Sequence, residues 1–175
     1  GPRTTLHLPI LRPEILRSTP TLGSHVCAYF NENSDHASIS GVLQDVGVPV
    51  RVYGMRAVAQ DEMHGKVLFR PFSQDGFIRD LASSTAVIGG AGFTLMTEAI
   101  YLGKPMLAVP FGGQFEQILN ANYLTRLGYG ERAYSLDRQT VVGFLARAPA
   151  YRHNLAGFRH DGNRELLQAV ERAIA

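Results

Sequence analysis

The run Gly89-Gly90-Ala91-Gly92-Phe93-Thr94 stands between a continuous apolar stretch and a helical pattern. Glycines in such a turn let the backbone approach a bulky ligand group closely, and Thr94 is placed as the N-cap of the helix that follows. The first N–H groups of a helix point outward at the positive end of its dipole, so the turn suits an anion such as a phosphate. A tight connection that binds nothing is the plainer interpretation of the same glycines.

Glu98 lies one turn beyond Thr94 on the same face of the predicted helix. A carboxylate is a poor neighbour for a phosphate, but it accepts hydrogen bonds from both hydroxyls of a ribose. The two positions together favour a ligand in which a phosphate is joined to a ribose. A solvated surface glutamate is the alternative.

A second polar cluster follows the apolar run Met106 to Val109. The segment Phe111-Gly112-Gly113 leads into a helical pattern whose polar residues are Gln114, Glu116, Gln117 and Asn120. Amide and carboxylate groups at the carboxyl end of a strand suit a polyhydroxylated ligand. Helix capping is the alternative, because the helix dipole favours a glutamate in the first turn.

Strand and helix patterns alternate from His25 onward. The strand candidates are His25–Phe30, Val48–Tyr53, Lys66–Phe69, Thr85–Ile88 and Pro105–Val109. The helix candidates are Ala37–Val46, a helix capped by Ser73, Thr94–Leu102, Gln114–Leu127, Arg138–Ala146 and Asn163–Ile174. This alternation predicts a parallel sheet covered on both faces, hence an α/β, Rossmann-like three-layer domain. Ligands of such sheets bind beyond the carboxyl ends of the strands, where both polar clusters stand.

The first 23 residues carry four prolines and no sustained apolar period. Prolines at this density favour an extended or turn-rich path. We therefore expect residues 1–23 to be a linker or a tag remnant rather than a folded element, and residues 24–175 to form the domain.

The composition excludes several classes of protein. The chain of 175 residues is 45% hydrophobic and 18% charged, as is typical of a globular domain. The 17 basic and 15 acidic residues are scattered and leave a net charge of +2, which argues against a nucleic-acid binder. A single cysteine, Cys27, excludes an internal disulfide, and no signal peptide or membrane span is visible. These features favour a cytoplasmic location.

Taken together, the motifs resemble the donor-binding signature of GT-B glycosyltransferases. The shared landmarks are Gly92-Phe93-Thr94 with Glu98-Ala99, Leu102-Gly103-Lys104-Pro105, Val109-Pro110, and Glu116-Gln117 with Asn120-Ala121. The likeness is close over residues 66–130 and holds in element order over residues 25–175. It implies the C-terminal, nucleotide-sugar-binding half of such an enzyme, similar to the transferases that complete lipid-linked peptidoglycan precursors.

The resemblance implies a role for each motif. Glu98 would bind the ribose of a uridine nucleotide, Glu116 and Gln117 would bind hydroxyls of the donor sugar, and Gly90 to Thr94 would face the diphosphate. The segment Phe69-Arg70-Pro71-Phe72 corresponds to the stretch that holds the base. The loop Asn31 to Ser34 corresponds to a second phosphate loop.

Two departures from the family pattern bear on these roles. Many relatives carry a histidine where this chain has Gly90, so a side-chain contact to the diphosphate is replaced by backbone. The loop Asn31 to Ser34 lacks the usual glycine pair, which weakens the case for a phosphate role there.

We expect no metal and no cofactor besides the UDP-sugar donor, because no Asp-x-Asp motif occurs in the chain. The general base and the acceptor pocket would belong to an N-terminal domain that this chain lacks, so no catalytic residue is assigned and the chain alone is expected to be inactive. Any peripheral membrane contact would also run through that absent domain. We expect the apolar residues of the last helix, Leu166, Leu167, Val170 and Ile174, to be partly exposed here.

Two other functions remain open at the level of sequence. One is a sugar-nucleotide 2-epimerase, which shares the architecture but needs acid–base residues from two domains. The other is a nucleotide-sugar-binding module without catalysis.

Overall fold

The computed structural model describes residues 4–31, 36–110 and 114–174. Within these ranges seven strands form one sheet: β1 (Val26–Tyr29), β2 (Val50–Tyr53), β3 (Glu62–His64), β4 (Val67–Phe69), β5 (Ala86–Gly89), β6 (Met106–Ala108) and β7 (Gly130–Arg132). Their order across the sheet is β3-β4-β2-β1-β5-β6-β7. Every neighbouring pair is parallel except β3 with β4. The expected parallel α/β sheet is confirmed.

The described helices are α1 (Pro13–Arg17), α2 (His36–Asp45), α3 (Gln74–Ser83), α4 (Phe93–Tyr101), α5 (Phe115–Arg126), α6 (Arg138–Leu155) and α7 (Arg164–Ile174). The Ser73 side chain accepts a hydrogen bond from the backbone N–H of Gly76, so the predicted cap of α3 is confirmed. The prediction that Thr94 caps α4 is wrong. Gly92 holds the N-cap position in an extended conformation, and Thr94 is already the second helical residue.

The two faces of the sheet bury separate apolar clusters. Alternate residues of each strand point to opposite faces, so Val26 and Ala28 of β1 belong to one cluster and Cys27 to the other. Residues of α2 and α6 complete the first cluster, and residues of α1, α3, α4 and α5 complete the second. The result is the expected three-layer arrangement.

The N-terminal segment is folded against the second cluster. Leu11 and Ile15 are buried there, and the side chain of Asn163 binds both the backbone N–H (2.9 Å) and the carbonyl (2.8 Å) of Leu11. The expectation that residues 1–23 contain no folded element is therefore wrong for α1. Proline is tolerated in a first helical turn, so Pro13 begins the helix rather than preventing it.

Buried Lys104 ties the later part of this segment to the sheet. Its ammonium donates to the carbonyls of Thr21 (2.5 Å) and Ser84 (2.9 Å). Burial lowers the pKa of Lys104 to about 8. The backbone N–H groups of Thr21 and Gly23 also donate to the carbonyls of Ala82 and Ser83, the last two residues of α3.

The strand order reverses between β1 and β5. The chain runs outward from β1 to β2 and β4 on one side, and from β5 to β6 and β7 on the other. In an open parallel sheet such a reversal leaves a crevice at the carboxyl ends of the two strands, and ligands bind there. The residues that follow β1 and β5 are Phe30 and Gly90.

A buried charge network joins α3 to the strands beside it. The carboxylate of Asp80, fully buried, accepts hydrogen bonds from Arg51 (2.6 Å), the Tyr53 hydroxyl (2.7 Å) and Arg70 (2.6 Å). Burial opposes the charge, but the hydrogen bonds from Tyr53, Arg70 and Arg51 outweigh it and hold the pKa of Asp80 below its ordinary value. The network locks α3 onto β2 and onto the residue after β4.

The last helix has no buried residue. Leu167 and Val170 are about half exposed and Ile174 is 81% exposed, which confirms the expectation that apolar residues of this helix are open to solvent.

Replacing Asp80 by Asn should lower the free energy of unfolding by roughly 3 kcal/mol at pH 7, because two guanidinium groups lose their carboxylate. The folded-state pKa of Asp80 is depressed, so its contribution is complete above the ordinary aspartate pKa and is lost as the pH falls below that value. The difference between the two proteins should therefore shrink in acid. Urea denaturation at several pH values measures it.

Asp45→Asn is the matched control, because Asp45 is exposed at the end of α2. We expect that substitution to alter the free energy of unfolding by no more than about 0.5 kcal/mol. An equal loss for both variants would mean that the Asp80 network does not stabilise the fold.

Candidate functional site

Two adjoining cavities open at the reversal point of the sheet. The first, of about 250 Å³, is lined by Tyr29, Asn31, Gly90, Gly92, Phe93, Thr94, Leu95 and Gln117. The second, of about 270 Å³, is lined by Arg12, Tyr29, Phe72, Phe77, Thr94, Leu95 and Glu98. We call them the glycine-turn cavity and the Glu98 cavity. They share Tyr29, Thr94 and Leu95, so one elongated ligand can occupy both.

The glycine-turn cavity is bounded by the start of α4. Gly92 holds the N-cap position, and no side chain of the described residues caps this helix. The N–H groups of its first turn therefore face the cavity with the positive end of the helix dipole behind them. A Cβ added at Gly92 would meet no atom within 4 Å, so the space beside the turn is open. This arrangement suits an anionic group.

Asn120 supports the same turn from behind. Its side-chain amide donates to the carbonyl of Ala91 at 3.1 Å, and Ala91 is itself fully buried. The two residues hold the backbone of the turn and do not line either cavity.

The Glu98 cavity has a carboxylate at its base and aromatic rings on its wall. The rings of Tyr29 and Phe77 pack edge to face with centroids 5.7 Å apart, and Phe77 packs in the same way on Tyr53 at 5.3 Å. Phe72 is 68% exposed at the rim. An apolar wall beside a carboxylate suits a flat ring joined to a hydroxylated group.

Glu98 is paired with Arg12 of the N-terminal segment. The guanidinium donates from Nε to one carboxylate oxygen at 2.6 Å and from Nη2 to the other at 2.8 Å. The side chain of Glu98 is only 2% exposed, whereas that of Arg12 is 35% exposed. The hydrogen bond with Glu98 raises the pKa of Arg12. Glu98 is therefore a buried, bidentate partner of a cation, not the solvated glutamate that was the alternative.

Phe69 and Arg70 lie away from both cavities. Phe69 is buried on β4, with the guanidinium of Arg56 4.5 Å from its ring centroid. The side chain of Arg70 turns to Asp80, and its backbone N–H donates to the carbonyl of Val52. Of the segment expected to hold a base, Phe72 is the residue that reaches the Glu98 cavity.

The polar cluster at the start of α5 is only partly at the site. Gln117 lines the glycine-turn cavity, and its amide donates to the side-chain oxygen of Gln114. Gln114 and Glu116 are exposed and line neither cavity. The run Phe111-Gly112-Gly113 and most of the expected phosphate loop, from residue 32 to residue 34, lie outside the described residues.

Sequence reasoning did not single out Arg12, Tyr29, Phe77 or Leu95, all of which line the cavities. The sequence pattern could have indicated Tyr29, since it ends the first strand of a parallel sheet and ligands bind at such strand ends. No pattern indicated Arg12, which stands 86 residues from Glu98 in a proline-rich stretch.

The described part of the chain contains no group of three or more His, Cys, Asp or Glu side chains arranged to hold a metal ion. Among the helices of the same part, none combines the length and the apolar character needed to cross a bilayer.

Comparison with known proteins identifies the family. Residues 1–149 match the sequence profile Glyco_trans_1_3, described as glycosyl transferase family 1. The chain belongs to this glycosyltransferase family. The match includes α1 and Arg12 as well as both cavities.

Among curated relatives, the chain is similar to UDP-N-acetylglucosamine--N-acetylmuramyl-(pentapeptide) pyrophosphoryl-undecaprenol N-acetylglucosamine transferase 3 of Bacillus cereus. The identity is 28% over an alignment of 101 residues, and the match covers 52% of this chain and 28% of the relative. The chain thus matches well under half the length of that glycosyltransferase.

Solved glycosyltransferases share the fold. The glycotransferase of kitacinnamycin superposes with a TM-score of 0.69 at 16% identity, over 94% of this chain and 48% of that one. Os79 of O. sativa, in complex with UDP and deoxynivalenol-3-glucoside, superposes with a TM-score of 0.59 at 19% identity, over 81% of this chain and 37% of that one. The fold expected from the sequence, one half of a GT-B glycosyltransferase, is confirmed.

Proposed function

We propose that this chain binds a UDP-sugar as the donor half of a glycosyltransferase that moves the sugar to an acceptor hydroxyl without a metal ion. The observation that carries the proposal is the pair of joined cavities at the reversal point of the sheet. One presents a carboxylate beside aromatic rings, and the other presents an uncapped helix start beside a glycine turn. A nucleoside diphosphate has the matching order of chemical groups.

The Glu98 cavity would take the uridine. The ring of Phe72 at the rim offers a stacking surface for the base, and Phe77 and Tyr29 give the apolar wall behind it. The ribose hydroxyls would donate to the Glu98 carboxylate. The structure of Os79 with UDP supports the choice of nucleotide, because that protein has the same fold.

The glycine-turn cavity would take the diphosphate. Negative charge that develops on the leaving group would be met by the first N–H groups of α4 and by the helix dipole. No Asp-x-Asp motif is available to bridge a metal to the phosphates. The sugar would then extend past Gln117 toward Glu116 and Gln114, whose side chains are exposed.

The acceptor and the general base would come from a second domain of the same protein. The chain spans less than half of each glycosyltransferase compared above. Among the described residues that line its two cavities, the one carboxylate is that of Glu98, which is paired with Arg12. The exposed apolar face of α7, formed by Leu167, Val170 and Ile174, would contact that domain. We place the whole protein in the cytoplasm.

The ribose contact gives the decisive test. Changing Glu98 to Ala should weaken UDP binding by roughly 2–4 kcal/mol, because two hydrogen bonds to a charged acceptor are lost. The affinity of Glu98→Gln for UDP should lie between those of the unchanged protein and Glu98→Ala, since one acceptor oxygen survives. A 2′,3′-dideoxy analogue of UDP should bind all three proteins with similar affinity, because its hydroxyls are already absent. Isothermal titration calorimetry gives each affinity.

Glu171→Ala is the matched control, since Glu171 is exposed on α7 and lines neither of the two cavities. It should bind both nucleotides as the unchanged protein does. Equal losses of UDP and of its dideoxy analogue in Glu98→Ala would place the Glu98 effect in folding rather than in ribose binding, and the proposal would lose its main support.

Removal of divalent cations should leave nucleotide affinity nearly unchanged. The reason is that backbone N–H groups, not a metal, are proposed to face the diphosphate. Titration of UDP with and without excess chelator measures the effect. A loss greater than about tenfold, which is about 1.4 kcal/mol, would show that a metal takes part.

The chain alone should bind UDP but transfer no sugar, because the acceptor and the base are assigned to another domain. The measurement is product formation from a panel of UDP-sugars with simple acceptors, followed by mass spectrometry. Sugar transfer by residues 1–175 alone would contradict the assignment of the acceptor pocket and the general base to another domain.

A further inference from the structure

The carboxylate of Glu98 is closed to a ribose in this structure. Both of its oxygens accept hydrogen bonds from one edge of the Arg12 guanidinium, at 2.6 and 2.8 Å. Glu98 lines the cavity, but only 2% of its side chain is exposed, so Arg12 covers most of the carboxylate that a ribose would meet. A ribose diol binds a carboxylate through the same two oxygens, so it and the guanidinium need the same edge.

The backbone around Arg12 is held on both sides. Leu11 is fixed by two hydrogen bonds to Asn163, and Ile15 is completely buried one turn later. The carbonyl of Pro9 is 2.8 Å from the ring nitrogen of His160. The segment therefore cannot leave as a unit without breaking these contacts.

The side chain of Arg12, in contrast, forms its hydrogen bonds with Glu98 alone among the described residues. It is 35% exposed and forms part of the wall of the Glu98 cavity. Rotation of the side chain breaks two charge-assisted hydrogen bonds, and two hydrogen bonds from a diol to the same carboxylate offset that loss. The exchange leaves a net gain for the ribose that is smaller than its two hydrogen bonds alone would give, because the Arg12–Glu98 pair is lost and the guanidinium returns to water.

We propose that Arg12 competes with the ribose hydroxyls for Glu98 and so sets how strongly the site prefers a ribonucleotide over a deoxynucleotide. The inference rests on the proposed function, because it requires a nucleotide in the Glu98 cavity. A deoxynucleotide leaves the Arg12–Glu98 pair in place. A ribonucleotide gains the diol contacts but loses the pair, so the preference for ribose is smaller than Glu98 alone would give.

A positioning role for Arg12 makes the opposite prediction. If the guanidinium only holds the carboxylate in the orientation that the diol needs, its removal reduces the preference for ribose. If the guanidinium competes with the diol, its removal increases that preference. The sign of one ratio therefore separates the two roles.

The experiment measures that ratio, the dissociation constant of 2′,3′-dideoxy UDP divided by that of UDP. Titration calorimetry at pH 8, where carboxylates are ionised, is applied to the unchanged chain and to Arg12→Met, which retains an unbranched side chain without the charge. We expect the ratio to rise at least fivefold in Arg12→Met. An unchanged or smaller ratio overturns the proposal.

Three further proteins complete the design. Arg17→Met removes an arginine of α1 whose side chain is 73% exposed, and it should leave the ratio unchanged. Arg12→Lys cannot form the two-bond edge and should also raise the ratio, so it carries the test if Arg12→Met does not fold. Circular dichroism verifies folding of each variant.

The third, Glu98→Gln, separates the two proposals. If UDP binds the unchanged chain and Glu98→Gln lowers its ratio toward one, the ribose site stands and the Arg12 variants alone decide the competition. If UDP does not bind, or if Glu98→Gln leaves the ratio of the two dissociation constants unchanged, the proposed function is wrong. The proposed competition is then wrong as well.

Discussion

The close parallel pairing of β1 and β5 is the constraint on which the site depends. Gly89, the last residue of β5, is fully enclosed, and a Cβ there would collide with the carbonyl oxygen of Tyr29 at the end of β1. The two strands therefore reach the edge of the sheet side by side and then diverge to opposite sides. The two cavities lie in the crevice that this divergence leaves.

The N-terminal segment connects this crevice with the rest of the fold. Its buried residues Leu11 and Ile15 belong to the same apolar cluster as Ala99 and Ile100 of α4. The same helix carries Glu98, whose carboxylate accepts two hydrogen bonds from Arg12 of the segment. The packing of this segment against α4 thus also places Arg12 on the carboxylate of Glu98. A change that loosens α1 also changes the charge that a ligand meets.

Much of the core fold could be predicted from the sequence because its central strands are continuous apolar runs such as Ala86-Val87-Ile88. Strand β7 could not, because two of its three residues, Glu131 and Arg132, are charged and it lies at the edge of the sheet, paired only with β6 among the described strands. In the candidate site, Gly92 and Glu98 could be placed together from the sequence because the N-cap of α4 and a residue of that same helix follow one strand. Arg12 was missed because only tertiary packing brings it across 86 residues to Glu98.

The charges around the cavities bear on the role proposed for Gly92. Arg12 is the one cation among the described lining residues, and Glu98 already neutralises it. In the proposed function, attraction for a diphosphate would then come from backbone N–H groups and the dipole of α4, which act only over a short distance. A side chain at Gly92 would clash with no atom of the chain itself. Packing does not require glycine there, whereas close approach of the proposed diphosphate to the backbone would.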